Sequence, residues 1–321
     1  MTTPWIWIAF NLFILAMLAL DLGVFHKKSK ALPLREAMGW VITWVTLAAV
    51  FNVGLYFLWD NLFPVSEYRR GEAALLFLTG YLIELSLSVD NLFVIALIFS
   101  SFGVPVAYQH RVLFWGILGA LVMRGTMIAG GAALIKEFHW IIYLFGGFLI
   151  FTGFKMFFHK EKEFHPEDSF LIRQLKRFLP VTDRYEGEHF FIRRAGVLMA
   201  TPLFMVLVLI EFTDLIFAVD SIPAIFGITT DPFLVYASNV FAILGLRSLY
   251  FVLAGFMGVF LYLKPALSAI LIFVGTKMLL ADVFKIPPMV SLAVVVSILA
   301  LAAVLSIAVA RMNDNPGKDR L

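Results

Sequence analysis

From Val290 to Ala310 the chain runs for 21 residues without a charged side chain. A helix needs about 20 predominantly apolar residues to cross the hydrocarbon core of a bilayer, so this run points to lipid as the solvent. Met199 to Ile210 repeats the message. Composition extends it to the whole chain: of 321 residues, 61% are hydrophobic and 15% charged, with a mean hydropathy of +0.93. Ordinary soluble domains average roughly 45 to 50% and about 25%.

Hydropathy divides the chain into nine candidate spans, at about 4–25, 38–59, 73–99, 112–134, 138–158, 197–222, 233–256, 265–284 and 288–310. Pro64, Gly103 with Pro105, Asp231 with Pro232, and Pro287 with Pro288 supply the turns between them. The expected fold is an all-α polytopic membrane protein of about nine transmembrane helices. No basic segment or small-residue cleavage site accompanies the first apolar run, which reads as a retained helix rather than a signal peptide. The one long hydrophilic connection, from His159 to about Ala195, reads as a cytoplasmic loop with room for one short helix. Its run of charges from Glu161 to Asp168 reads as a solvated surface.

Placing the N-terminus outside and the C-terminus in the cytoplasm puts 17 of the 25 basic residues on the inner side, as the positive-inside rule requires. Only Arg69, Arg70, Lys136 and Lys285 fall outside, and Arg124, Lys155, Arg247 and Lys277 lie within spans.

The chain also matches itself. Glu84-Leu85-Ser86-Leu87-Ser88-Val89-Asp90-Asn91 lies over Asp214-Leu215-Ile216-Phe217-Ala218-Val219-Asp220-Ser221, with a carboxylate at both ends of the motif. Leu118-Gly119 with Arg124 then matches Leu244-Gly245 with Arg247, and Phe151 to Met156 matches Phe273 to Met278. Three spans per unit is an odd number, so the second copy must enter from the opposite face. Such inverted repeats recur in secondary transporters, with the substrate held between them near the midplane. The expected organisation is a two-helix N-terminal segment (1–71), a first three-helix repeat (72–158), the loop (159–196), an inverted second repeat (197–284), and a last helix with a tail (285–321). Lys155 and Lys277 are expected near span ends on opposite faces, from which each can snorkel to the interface.

Five acids fall well inside predicted spans: Glu84, Asp90, Glu211, Asp214 and Asp220. A charge at the bilayer centre costs about 2.5 to 3.5 kcal/mol on insertion scales. Arg124 and Arg247 are the candidate ion-pair partners, one bridge tying each repeat, and two arginines leave about three acids to be met by a cation or by protons. Within each motif the acids are six residues apart, about 120° around a helix. Convergence therefore needs either two facing helices or a helix break, for which Pro223, beside Asp220, is the candidate.

Neutral oxygen groups stand beside the acids: Asn91, Ser86, Ser88, Thr213 and Ser221. Carboxylates with amide and hydroxyl oxygens suit hard cations such as Mg²⁺, Ca²⁺ and Mn²⁺. All six histidines fall in loops or at span ends, and there is no cysteine. Zinc, haem and iron–sulfur ligation within the bundle therefore lack their usual ligands, and no tightly bound cofactor is expected. The net charge of +3 is spread over loops and gives no basis for nucleic-acid binding. No nucleophile–base pair or phosphate loop points to an enzyme. The expected partners are the bilayer and a divalent cation, with protons.

The segment Ser86 to Asn91, the long motif Glu211 to Ile225, the connection Glu188-His189-Phe190-Phe191-Ile192-Arg193 and the stretch Ser238 to Arg247 together resemble the TerC family, in particular its Alx-type bacterial members. The resemblance covers nearly the whole chain and is densest from about Glu72 to Asp282. It implies a multi-pass protein of the bacterial inner membrane linked to manganese export and metal homeostasis, with older associations to tellurium resistance and the response to alkaline pH. The family's acidic motif maps onto Glu84, Asp90, Asn91, Glu211, Asp214, Asp220 and Ser221. Thr213 stands where many relatives carry serine, which keeps the hydroxyl. The resemblance implies a Mn²⁺ exporter, and the competing reading is a non-transporting scaffold or redox modulator of the membrane.

Overall fold

A computed structural model describes residues 4–23, 33–138, 140–158, 170–194, 196–254, 262–284 and 286–313. Helices dominate: α1 (Pro4–Gly23), α2 (Leu34–Leu62), α3 (Arg70–Ser101), α4 (Val106–Glu137), α5 (Ile141–Phe158), a short α6 (Phe170–Phe178), α7 (Pro202–Phe226), α8 (Pro232–Leu244), α9 (Leu246–Ala254), α10 (Leu263–Leu279) and α11 (Pro288–Asn313). Two short strands, β1 (Phe191–Arg194) and β2 (Val197–Ala200), complete it. In hydrocarbon no water satisfies backbone amides and carbonyls, so each apolar run closes its hydrogen bonds internally as a helix. Among the described residues, six helices (α2, α3, α4, α5, α7 and α11) are long and apolar enough to cross a bilayer, and α8 with α9 makes a seventh if the bent pair is one span. The predicted first and eighth spans are met by shorter helices: the apolar part of α1 is Pro4–Leu20, and α10 has 17 residues. The chain is an all-α polytopic membrane protein.

α3 sits at the centre, packed against α2, α7, α8 and α11. Its apolar contacts are aromatic: Phe77 meets Phe51 of α2 at 5.2 Å between ring centroids and Phe241 of α8 at 5.8 Å. Lipid-facing positions such as Ile42, Val50 and Phe57 on α2 and Leu301 and Val304 on α11 are exposed, as expected of a surface whose solvent is apolar.

The most extensive helix pair is α5 with α10, and glycines allow it. A Cβ on Gly275 would lie 2.6 Å from the Gly146 carbonyl oxygen, and one on Gly146 would lie 2.9 Å from that of Gly275. Small residues at such seams let helix backbones approach closely, which is how helices associate where there is no hydrophobic effect to drive them.

Three expectations change. The 159–196 loop carries more than a helix. Beyond α6, β1 and β2 form an antiparallel hairpin with Phe191 opposite Ala200 and Arg194 opposite Val197, and Gly196 takes φ +84° at its turn, a conformation suited to glycine. β2 thus occupies the first four positions assigned to the sixth span. The hairpin fixes the start of α7: the Thr201 amide donates to the Phe190 carbonyl at 2.9 Å and its hydroxyl to the His189 carbonyl at 2.7 Å, with Pro202 at the first helical position. The Tyr185 hydroxyl, pushed up to about 12 by burial, donates to the Phe102 carbonyl at 2.7 Å and ties this region to the end of α3. The charged run 161–168 lies outside the described residues, as do His26, His139, His159, His165 and Lys285.

Second, α7 does not break at Pro223. The proline falls in its last turn, three residues before the end at Phe226, where a missing amide removes a single late hydrogen bond. Third, the predicted span 233–256 is two helices, α8 and α9, bent by 44° at Gly245, a residue type at which helices kink.

Candidate metal centre

Arg124, on α4 and 1% exposed, gathers side chains from three other helices. Its Nε donates to Asp214 Oδ2 at 3.2 Å and its Nη2 to Asp214 Oδ1 at 2.9 Å, a bidentate grip on α7 that suits the planar guanidinium. Nη1 donates to Glu84 on α3 and to Asn239 Oδ1 on α8 at 2.9 Å, with Ser221 Oγ of α7 at 3.4 Å. Glu84 is wholly buried. The convergence of acids is therefore achieved by facing helices and a shared cation, with no helix break. It also differs from one arginine per repeat: Arg124 joins Glu84 of the first motif to Asp214 of the second. Two carboxylates meet one guanidinium, so the cluster as ionised carries a net charge of −1, and Glu84 Oε2 has no hydrogen-bond partner.

Asp220, six residues beyond Asp214 on α7, faces a different environment, as 120° of rotation requires. With Ser221, Phe217, Asn91 and Leu87 of α3, Met156 of α5 and Leu271 of α10, it lines a cavity of about 40 Å³. That exceeds the volume of roughly 10 to 15 Å³ that admits one water-sized occupant. The Asp220 carboxylate accepts one hydrogen bond, from Thr152 at 3.3 Å, and Lys155 of α5 is near enough for its charge to act there. Lys155 thus lies beside an acid as well as near the end of its helix; Lys277 is half-buried. Asn91, 5% exposed, donates to Asp214 at 3.4 Å while its Oδ1 has no partner. It links the arginine cluster to the Asp220 cavity.

The remaining predicted residues are dispersed. Glu211 lies one turn before Asp214 and packs its carboxylate against Gly119 of α4, in space a Cβ there would fill. Asp90 is on α3 by its backbone, but its side chain lies outside the described part of the structure. Arg247 is buried on α9, 3% exposed. Thr213 and Ser86 turn back to the carbonyls of Leu209 and Leu82 in their own helices, whereas Ser88 is buried without a hydrogen-bond partner. Among the described residues no three histidine, aspartate or glutamate side chains stand together as a metal site. Asn239, absent from the predicted site, completes the arginine cluster. Its signal was an amide in an otherwise apolar span.

The model of the integral membrane protein TerC family matches residues 69–314, which include every residue of both clusters. A Myxococcus xanthus protein named "Uncharacterized membrane protein STKORF319" is 52% identical over 305 residues, covering 95% of this chain and 92% of its own. A protein of Escherichia coli K12 named "Putative membrane-bound redox modulator Alx" is 48% identical, covering 95% and 94%, and a Rickettsia bellii membrane protein is 42% identical, covering 94% and 96%. No solved structure matches. With a family match over most of its length and relatives this similar end to end, the chain belongs to the TerC family of integral membrane proteins.

Proposed function

We propose that the protein is a secondary transporter of the bacterial inner membrane that exports a divalent cation, foremost Mn²⁺, with its N-terminus outside and its C-terminus in the cytoplasm. The observation that carries this reading is a cavity lined by Asp220 beside a cluster in which one arginine serves two carboxylates. Arg124 is shared by Glu84 and Asp214, and beside it Asp220, Ser221 and the unpartnered Asn91 carbonyl face one cavity. Intramembrane acids of this kind mark ion paths. The cavity is walled by α3, α5, α7 and α10, two helices from each proposed inverted repeat, where rocking of one repeat against the other would open it to alternate sides. Asp90, Glu211 and Asp220 bind either metal or protons, which couples efflux to proton entry.

The test is flux in a purified system. Proteoliposomes of wild-type protein should move Mn²⁺ down an imposed gradient, faster against an opposing proton gradient, and both Asp90→Asn and Asp220→Asn should abolish the movement. Unchanged flux in the two variants removes the acids from the mechanism.

A second reading, a membrane-bound redox modulator, draws on the printed names of several relatives. This chain has no cysteine, so any redox effect would not come from a thiol of its own. That reading predicts a shifted cellular redox balance in Asp220→Asn with total cellular Mn²⁺ unchanged.

A further inference from the structure

Hard oxygen ligands alone do not separate Mn²⁺ from Mg²⁺ and Ca²⁺, whose preferences overlap. The Asp220 cavity contains one group that does. Its wall is made by Asp220, Asn91 and Ser221, which offer oxygen, by Leu87, Phe217 and Leu271, which offer nothing to an ion, and by Met156, whose thioether carries a polarisable lone pair. α5 brings it there by helical spacing: Thr152, which donates to Asp220, and Met156 are four residues apart and share a face.

We propose that Met156 is the selectivity residue of this cavity, its sulfur completing an oxygen-poor ligand set that accepts divalent transition metals and rejects alkaline-earth ions. The inference rests on the reading of the cavity as the transport site and adds the class of ion. Ca²⁺ takes six to eight oxygens, and Mg²⁺ demands a near-ideal octahedron of them and gives up its water reluctantly. A small cavity with three oxygen-bearing side chains and a thioether serves neither. A d-block ion tolerates a mixed oxygen and sulfur set, so discrimination comes from what the site withholds from the competitor. By the usual affinity order, Fe²⁺ and Co²⁺ bind at least as well as Mn²⁺.

The fold provides an internal control. Met278 aligns with Met156 in the repeated motif but is 2% exposed, packed where Cβ atoms on Gly146 and Gly227 would fall, and does not line the cavity. A methionine at the aligned position therefore has a packing role, and only Met156 faces Asp220, Asn91 and Ser221.

The experiment measures competition by Ca²⁺ and Mg²⁺ against Mn²⁺ flux in proteoliposomes, for wild type, Met156→Leu, Met156→Gln, Met278→Leu and Asp220→Asn. Loss of the sulfur in Met156→Leu should lower the Ca²⁺ concentration that halves Mn²⁺ flux by about tenfold, and the oxygen of Met156→Gln should lower it at least as much. Met278→Leu should leave it as in wild type. Unchanged competition in both Met156 variants overturns the proposal. If Asp220→Asn abolishes flux while they remain unchanged, only the thioether assignment falls; if Asp220→Asn has no effect, the site itself falls. A readout on unaltered protein adds an independent arm. With no cysteine in the chain, a sulfur scatterer in the X-ray absorption spectrum of Co²⁺-loaded wild type can come only from methionine. It should be present, and should vanish in Met156→Leu. Its absence from wild type contradicts the proposal.

Discussion

Asp214 and Asp220 sit six residues apart on one helix, at the two ends of one acidic motif, and their surroundings differ. Asp214 is gripped by Nε and Nη2 along one edge of the Arg124 guanidinium and touched by Asn91. Among the described residues Asp220 accepts from one hydroxyl, has the Lys155 charge nearby, and lines a cavity. The first arrangement fixes four helices to one another through a buried cation. The second leaves a carboxylate with unused lone pairs facing a space an ion can enter. An intramembrane acid therefore has no single meaning in this bundle, and its partners decide whether it is locked in a clamp or left open to bind.

The contrast can be broken most severely at Arg124. Removing one member of a buried ion pair leaves charge uncompensated, at a cost of about 3 to 5 kcal/mol. Arg124→Leu should accordingly lose abundance in the membrane and unfold at a much lower temperature in detergent, and adding Glu84→Gln with Asp214→Asn should recover part of the loss. Stability equal to wild type in Arg124→Leu would mean that the clamp holds nothing.

A smaller effect is expected at the α5–α10 seam, because overpacking a tight contact costs roughly 1 to 3 kcal/mol. In Gly275→Ala the new methyl meets the Gly146 carbonyl oxygen and shifts the helix that carries Thr152 and Met156. Mn²⁺ flux should fall more than thermal stability does. Gly119→Ala probes Glu211 in the same way. Displacing its carboxylate from α4 should reduce Mn²⁺ flux several-fold if Glu211 belongs to the ion path, with a stability change of about 1 kcal/mol.

The smallest effect belongs to a site outside both clusters. Asp231 caps α8, accepting from the amides of Phe233 and Leu234 at 2.9 and 3.1 Å. Its replacement by alanine should cost about 1 kcal/mol of thermal stability and leave Mn²⁺ affinity unchanged.

The helical framework was legible because lipid imposes one solution on a long apolar run: each of the nine predicted segments overlaps a helix or, for 233–256, a bent pair, although among the described residues only six helices, or seven with the bent pair, are long and apolar enough to cross a bilayer. The acids were legible for the same reason, since charge stands out where it is costly. Local punctuation misled in both directions. Pro223 suggested a break that the helix avoids by ending one turn later, and Gly245, inside an apolar run, bends a span that hydropathy reads as continuous. The β1–β2 hairpin was hidden because its pattern is short and runs directly into the apolar start of α7. Partner choice was the least visible. Arg124 lies 40 residues from Glu84 and 90 from Asp214, and only the packing of α4 against α7 and α8 decides that one arginine serves both motifs and that Asn239 joins them.

The division between clamp and ligand meets its most direct test in Mn²⁺ binding to purified protein, followed by the electron paramagnetic resonance of the free ion, for wild type and Asp220→Asn. Wild type should take up Mn²⁺ saturably, and Asp220→Asn should lose that uptake while its unfolding temperature in metal-free buffer stays close to that of wild type. Equal Mn²⁺ affinity in the two proteins would contradict the assignment of Asp220 as the ligand.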